Sequence, residues 1–121
     1  MIFTKSKELK AFIEDLKKLS KDELPYYRHY VFAGARGTGK TFLANRIKSL
    51  FPKKVVVIDE PIDERLNFVP DGSITIYTTV MPFKRGAYNL IIKRNEMDCP
   101  IIKDKSDTVN DLVRQAKKLF K

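Results

Sequence analysis

Residues 34–41 read Gly-Ala-Arg-Gly-Thr-Gly-Lys-Thr, in which three glycines precede a lysine and a threonine. Glycines let the backbone curl so that successive amide groups point inward at one anion. At this spacing a lysine reaches the outer phosphates of a nucleoside triphosphate, and a threonine hydroxyl ligates magnesium. The run therefore predicts a phosphate-binding loop, which we call the phosphate loop, for ATP or another nucleoside triphosphate with Mg²⁺.

The segments on either side of the phosphate loop have the character that such a loop requires. Residues 30–33 are a short apolar run typical of a buried strand, and residues 43–50 carry apolar side chains on one helical face. The amino end of that helix would add its partial positive charge at the phosphates. We predict Lys40 as a catalytic cation. The predicted nucleotide-binding residues are Gly34, Ala35, Arg36, Gly37, Thr38, Gly39, Lys40, Thr41 and Phe42.

Two acids, Asp59 and Glu60, follow the four apolar residues 55–58. The β-branched run predicts a central strand covered on both faces, and open α/β sheets bind ligands at the carboxyl ends of such strands. In the functional interpretation, Asp59 and Thr41 hold magnesium, directly or through water. Glu60 is then the base that polarises an attacking water or a substrate hydroxyl. The alternative is that both acids are simply polar residues that end a strand.

Two more pairs of residues could serve the same chemistry. Thr78 and Thr79 lie near the end of a predicted strand at 74–80, so one hydroxyl could approach the γ-phosphate or the attacking water, although both residues also favour β-structure. Lys84 and Arg85 follow in a loop bounded by proline and glycine. They could neutralise a phosphate of the nucleotide or of a nucleic acid, or be ordinary solvated side chains.

Hydrophobic spacing predicts the elements that position these residues. It indicates amphipathic helices at 6–19 and 109–120 and strands at 30–33, 55–58, 74–80 and 88–92. We therefore expect an α/β fold with a small, mainly parallel sheet of about four strands, helices on its faces, and the nucleotide at the carboxyl edge. The chain is predicted to form one domain, 1–121, with an N-terminal helical segment at 1–28 and a nucleotide-binding core at 29–121.

The formal net charge of +9 permits a nucleic-acid partner, although scattered lysines equally suit solvated helix faces. No apolar run approaches the length of about 18 residues that a membrane span needs, so no membrane partner is expected. The N-terminus lacks the apolar region of a signal peptide, and the single cysteine, Cys99, is interpreted as a reduced thiol. These features favour a cytoplasmic protein.

The run from Pro25 to Ala44, with Gly-Thr-Gly-Lys-Thr at 37–41, resembles the opening of an AAA+ or related ASCE-type P-loop ATPase. Within that resemblance, residues 55–60 look like the Walker B segment, whose aspartate serves magnesium and whose glutamate serves as base. Residues 74–79 look like the sensor strand. The resemblance implies a magnesium-dependent ATPase that acts with a nucleic acid, a protein partner or further copies of itself.

Such ATPases usually place another strand and helix between the two motifs, whereas only one helix separates Lys40 from residue 55 here. This spacing, with Glu60 followed by Pro61, is similar to that of deoxynucleoside kinases. In those enzymes the glutamate acts on the sugar hydroxyl that receives the phosphate. A third interpretation is a module that binds nucleotide without turnover. The sequence leaves the base of the nucleotide open, and also the choice among hydrolysis, phosphoryl transfer and binding alone.

Overall fold

A computed structural model of the chain describes residues 2–3, 6–66 and 70–93. The helix predicted at 109–120 and Cys99 lie outside the described residues. Along the chain the elements are β1 (Ile2–Phe3), α1 (Lys7–Ser20), β2 (Arg28–Ala33), α2 (Lys40–Leu50), β3 (Val55–Asp59), β4 (Ile74–Thr79) and β5 (Tyr88–Lys93). Neither described helix is long and apolar enough to cross a membrane.

The strands form one sheet in the order β1-β5-β2-β4-β3. Strands β5, β2, β4 and β3 are parallel to one another, and β1 pairs antiparallel with β5. This confirms an α/β fold built on a small, mainly parallel sheet. The two-residue strand β1 escaped prediction because it is too short to show a hydrophobic period. Since the four longer strands are parallel, their carboxyl ends meet at one edge of the sheet.

Helix α1 begins and ends with recognisable caps. The Ser6 hydroxyl accepts a hydrogen bond from the Leu9 amide at 3.1 Å, which satisfies one of the free N–H groups of the first turn. At the other end Asp22 takes the left-handed conformation with φ of 58°. The Glu23 amide then donates to the Lys18 carbonyl at 2.8 Å, which closes the last turn in the Schellman manner.

A buried polar cluster fastens α1 to β2. Asp15 is only 1% exposed, and its carboxylate accepts hydrogen bonds from the hydroxyls of Tyr26 and Tyr30, the latter at 2.6 Å. Arg28 donates to the same carboxylate at 3.0 Å. Burial above all raises the pKa of the Tyr30 phenol, so it remains a donor at neutral pH. Because Asp15 has three donors, its burial leaves no uncompensated charge.

The two described helices pack on the same face of the sheet. Their buried residues there include Leu9, Phe12, Leu16, Leu43, Ala44 and Ile47. The opposite face is covered by Phe83, Leu66 and Ala87, which pack on Val31 and Tyr77. Helices on the faces of the sheet were expected from the sequence; among the described residues both helices lie on one face, and loops cover the other. Periodicity reveals that a helix has an apolar side and does not tell which face that side covers.

Strand β3 corrects one expectation. Residues 55–58 were predicted to form a central strand, yet β3 stands at the end of the sheet and, among the described residues, pairs only with β4. Its Val56 is accordingly 40% exposed. A β-branched run fits a pleated surface in either place, so the run could not distinguish the end of a sheet from its middle.

Candidate functional site

The predicted phosphate loop connects the end of β2 at Ala33 to the start of α2 at Lys40. Gly37 and Gly39 have φ of 82° and 88°, in the left-handed region that other residues rarely adopt. Gly34 has a different reason to be glycine. A Cβ built there would collide with the main-chain oxygen of Ile92 in β5. Each of these three glycines thus has a structural reason, a left-handed backbone at 37 and 39 and a close neighbour at 34.

Helix α2 presents an uncapped amino end to this loop. Its N-cap residue is Gly39, which has no side chain, and no acid lies in the first turn. The first amide N–H groups of the helix are therefore left for an anion, and the helix dipole favours negative charge at the same place. The buried side chains of Leu43, Ala44 and Ile47 pack α2 against the hydrophobic core and fix the direction of the helix.

Lys40 folds back over the loop that precedes it. Lys40 is 8% exposed, and its ammonium group donates a hydrogen bond to the Ala35 carbonyl at 3.2 Å. Nearby, the hydroxyl oxygen of Thr38 is buried and has no hydrogen-bond partner within the described ranges. A buried polar atom without a partner is costly, so this hydroxyl gains from a ligand that bonds to it.

The predicted metal residues come together at the carboxyl edge of the sheet. Asp59 is the last residue of β3, and its Oδ1 accepts a hydrogen bond from the Thr41 hydroxyl at 3.1 Å. These two residues are 18 positions apart in sequence. A carboxylate and a hydroxyl are oxygen ligands of the kind that magnesium takes, together with phosphate oxygens and water. Within 6–66 and 70–93, this edge included, no group of three His, Cys, Asp or Glu side chains is placed to hold a metal.

Glu60 has a strained backbone next to this pair. Its φ is 47°, which is uncommon for a residue with a side chain. The Glu60 amide donates to the Thr78 carbonyl at 2.8 Å, and this bond helps to hold the unusual conformation. Its side chain belongs to an exposed residue. An outlier of this kind costs on the order of 1–3 kcal/mol and often accompanies a functional site.

Thr78 and Thr79 have separate contacts. The hydroxyl of Thr78, which is fully buried, donates to Oδ1 of Asp59. The carbonyl of Thr79 accepts the Gly34 amide at 3.1 Å. From the sequence, one of these hydroxyls was expected to approach a γ-phosphate or the attacking water, and the bond between Thr78 and Asp59 was not expected. The available signal was a pair of threonines at the carboxyl end of the strand.

The remaining predicted residues lie at the surface. Arg36 and Phe42 are exposed, and Phe42 stands in the first turn of α2 with 54% of its surface accessible. Lys84 and Arg85 are exposed in the loop after β4, where the Lys84 amide donates to the Glu64 carboxylate at 2.6 Å. This bond joins the loops that follow β3 and β4.

His29, to which the sequence assigned no role, is 8% exposed on the sheet face that carries no described helix. Its Nδ1 lies 3.4 Å from the Tyr77 hydroxyl, and its ring packs edge-on against Tyr27. Burial lowers the pKa of His29 below the ordinary value of 6.5. The side chain is thus a neutral part of the packing.

Compared with known proteins, the chain matches no protein-family model, no curated protein and no solved structure. A glycine loop, a helix amino end, one lysine and a threonine–aspartate pair meet at a single edge of a parallel sheet.

Proposed function

We propose that this chain is a minimal P-loop nucleoside triphosphatase that binds ATP with Mg²⁺ and hydrolyses it in the service of a nucleic-acid or protein partner. One observation carries the proposal. The Thr41 hydroxyl, in the first turn of α2, is hydrogen-bonded to Asp59 at the end of β3. In the sheet, β3 is two strands away from β2, the strand that leads into the glycine loop. This gives a magnesium ion two oxygen groups directly beside the amides that would hold the phosphates.

In this proposal each residue of the loop has a distinct task. The amides of the loop after Gly34 and of the first turn of α2 receive the phosphates, because no side chain caps the amino end of the helix. Lys40 exchanges its bond with the Ala35 carbonyl for a bond with the β- and γ-phosphates. Thr41 and Asp59 hold the metal, which neutralises charge on the phosphates.

Glu60 is the base in the proposed reaction. It takes a proton from a water molecule whose oxygen bonds to the γ-phosphorus, while the bond from that phosphorus to the β–γ bridging oxygen breaks and ADP leaves. The backbone of Glu60 is held beside Asp59 by the Thr78 carbonyl. The carboxylate thus projects from a fixed point beside the proposed metal site.

A kinase is the second candidate, and one structural observation favours it. Helix α2 connects to β3 through residues 51–54 alone, with no further strand or helix between the loop and the Glu60–Pro61 pair. This is the spacing in which the sequence resembles deoxynucleoside kinases. Glu60 would then accept the proton of a sugar hydroxyl instead of water, and the phosphoryl group would pass to that hydroxyl.

The first test is whether the loop binds nucleotide. MgATP should raise the melting temperature of the wild type, because a ligand that binds only the folded chain stabilises it by mass action. Lys40→Ala should abolish this shift. Lys48→Ala, at the other end of the same helix and exposed, is the matched control and should keep it. A Lys40→Ala protein that binds MgATP as tightly as the wild type would contradict the proposal.

The second test separates the candidates. Release of phosphate from ATP without an acceptor supports the triphosphatase, whereas turnover that requires an added nucleoside supports the kinase. Tight binding without either reaction supports a nucleotide-binding module. Assays of ADP and free phosphate distinguish the two reactions in the wild-type protein, and the shift in melting temperature reports binding where neither product forms.

A further inference from the structure

We infer that Thr78 is a positioning residue that sets the magnesium dependence of nucleotide binding by holding Asp59 in place. The inference rests on the proposed function, because it concerns the same site. Thr78 is fully buried, and its hydroxyl donates to Asp59 Oδ1. Its carbonyl accepts the Glu60 amide at 2.8 Å. One residue thus holds both acids, one through its side chain and one through its backbone.

The position of β4 makes this possible. Strand β4 lies between β2 and β3, with Thr78 opposite Phe32 on one side and opposite Asp59 on the other. The next residue, Thr79, accepts the first amide of the phosphate loop, that of Gly34, at 3.1 Å. The last two residues of β4 therefore join the loop that would hold phosphates to the strand end that would hold magnesium.

The hydroxyl matters because Asp59 is otherwise weakly restrained. Asp59 is an exposed residue, and its Oδ1 accepts hydrogen bonds from the hydroxyls of Thr41 and Thr78. Both bonds go to Oδ1, so neither occupies Oδ2, which the inference assigns to the metal or a metal-bound water. Of the two donors, Thr41 is itself a proposed metal ligand, so loss of the Thr78 hydroxyl removes the donor that serves Asp59 alone. Partners that orient a metal ligand typically contribute about 10–100-fold to metal affinity.

The same strand provides a matched control. Thr75 is also fully buried, and its hydroxyl has no hydrogen-bond partner in the part of the chain that the structure describes. It lies three positions before Thr78 on β4, on the opposite face of the sheet. Replacing either threonine with valine keeps the shape of the side chain and removes a buried hydroxyl. Only the change at Thr78 removes a contact with Asp59.

The experiment measures the Mg²⁺ concentration that gives half of the ATP-dependent rise in melting temperature. Thr78→Val should raise this concentration on the order of tenfold or more, and Thr78→Ser, which restores a hydroxyl, should return it close to the wild-type value. Thr75→Val should leave it unchanged. Binding of ATP in the presence of a chelator should be the same in all four proteins, because the phosphates still have the loop.

A wild-type Mg²⁺ requirement in Thr78→Val, or an equal rise in Thr75→Val, overturns the inference while leaving the proposed function intact. A wild type that binds no MgATP overturns the proposed function itself. If Thr78→Val does not fold, Thr78→Cys keeps one γ atom with a weaker donor and should show an intermediate rise. Thr78→Cys with the wild-type requirement would equally overturn the inference.

Discussion

Replacing Glu60 should separate folding from catalysis, because its backbone is strained and its carboxylate is the proposed base. We compare Glu60→Gly with Glu60→Ala. Both changes remove the carboxylate, so both should lower turnover on the order of a hundredfold or more while leaving ATP affinity unchanged. Only glycine is free of the steric cost of a φ of 47°.

The expected difference in stability follows from that angle. A side chain on a residue in the left-handed region lowers stability by about 1–2 kcal/mol, and glycine avoids this cost. Glycine in turn lowers stability by about 0.5–1 kcal/mol, because it has greater conformational freedom in the unfolded chain. Glu60→Gly should therefore be more stable than Glu60→Ala by about 0.5–1 kcal/mol. With a urea m-value of about 2 kcal/mol/M, the unfolding midpoint should rise by about 0.3–0.5 M.

Urea unfolding followed by circular dichroism measures the midpoint, and release of phosphate from ATP measures turnover. A midpoint of Glu60→Gly at or below that of Glu60→Ala would refute the assignment of backbone strain to Glu60. Wild-type turnover in either variant would move the role of the base to another residue. The two conclusions are independent, since one rests on the backbone and the other on the carboxylate.

Two further outcomes are expected. Burial lowers the pKa of His29, so below about pH 6.5 the imidazole binds a proton more readily in the unfolded chain than in the folded chain, and stability should fall as the pH drops. In urea unfolding at about pH 7.5 and about pH 5.5, His29→Gln should reduce this fall in stability. An equal fall in both proteins would assign it to other groups. If Lys84 and Arg85 contact a nucleic acid, replacing both with alanine should lower the slope of log affinity against log salt by about two in a binding titration. An unchanged slope would exclude this loop from the contact.

The strand, the glycine loop and the helix around Lys40 were predictable from the sequence as local structure. The phosphate loop, the strand before it and the helix after it are contiguous, so the glycine spacing and the apolar periods indicate all three. The carboxyl ends of parallel strands meet at one edge, which is why Asp59 could be expected near Thr41. These inferences need only the order of elements along the chain.

The pairing of strands was not predictable in the same way. Nothing in residues 74–79 indicates that β4 inserts between β2 and β3, and the bond from Thr78 to Asp59 exists only because it does. The position of β3 at the end of the sheet was hidden for a related reason, since neighbours in a sheet are chosen by contacts between distant residues. The bonds of Asp15 to Tyr26, Arg28 and Tyr30 likewise depend on how a helix lies across a strand.

The close approach of Gly34 to β5 separates two reasons for glycine within one short loop. Gly34 is required by a neighbour, because any Cβ there would collide with the main chain of Ile92 and displace β5, the strand with which β1 pairs. Gly37 has open space around it and is required only by its dihedral angle, which asparagine and aspartate also tolerate. A library selected for folding alone should therefore keep glycine at 34 and admit asparagine or aspartate at 37. Selection for nucleotide binding should then remove aspartate from position 37, because a negative charge would face the phosphates.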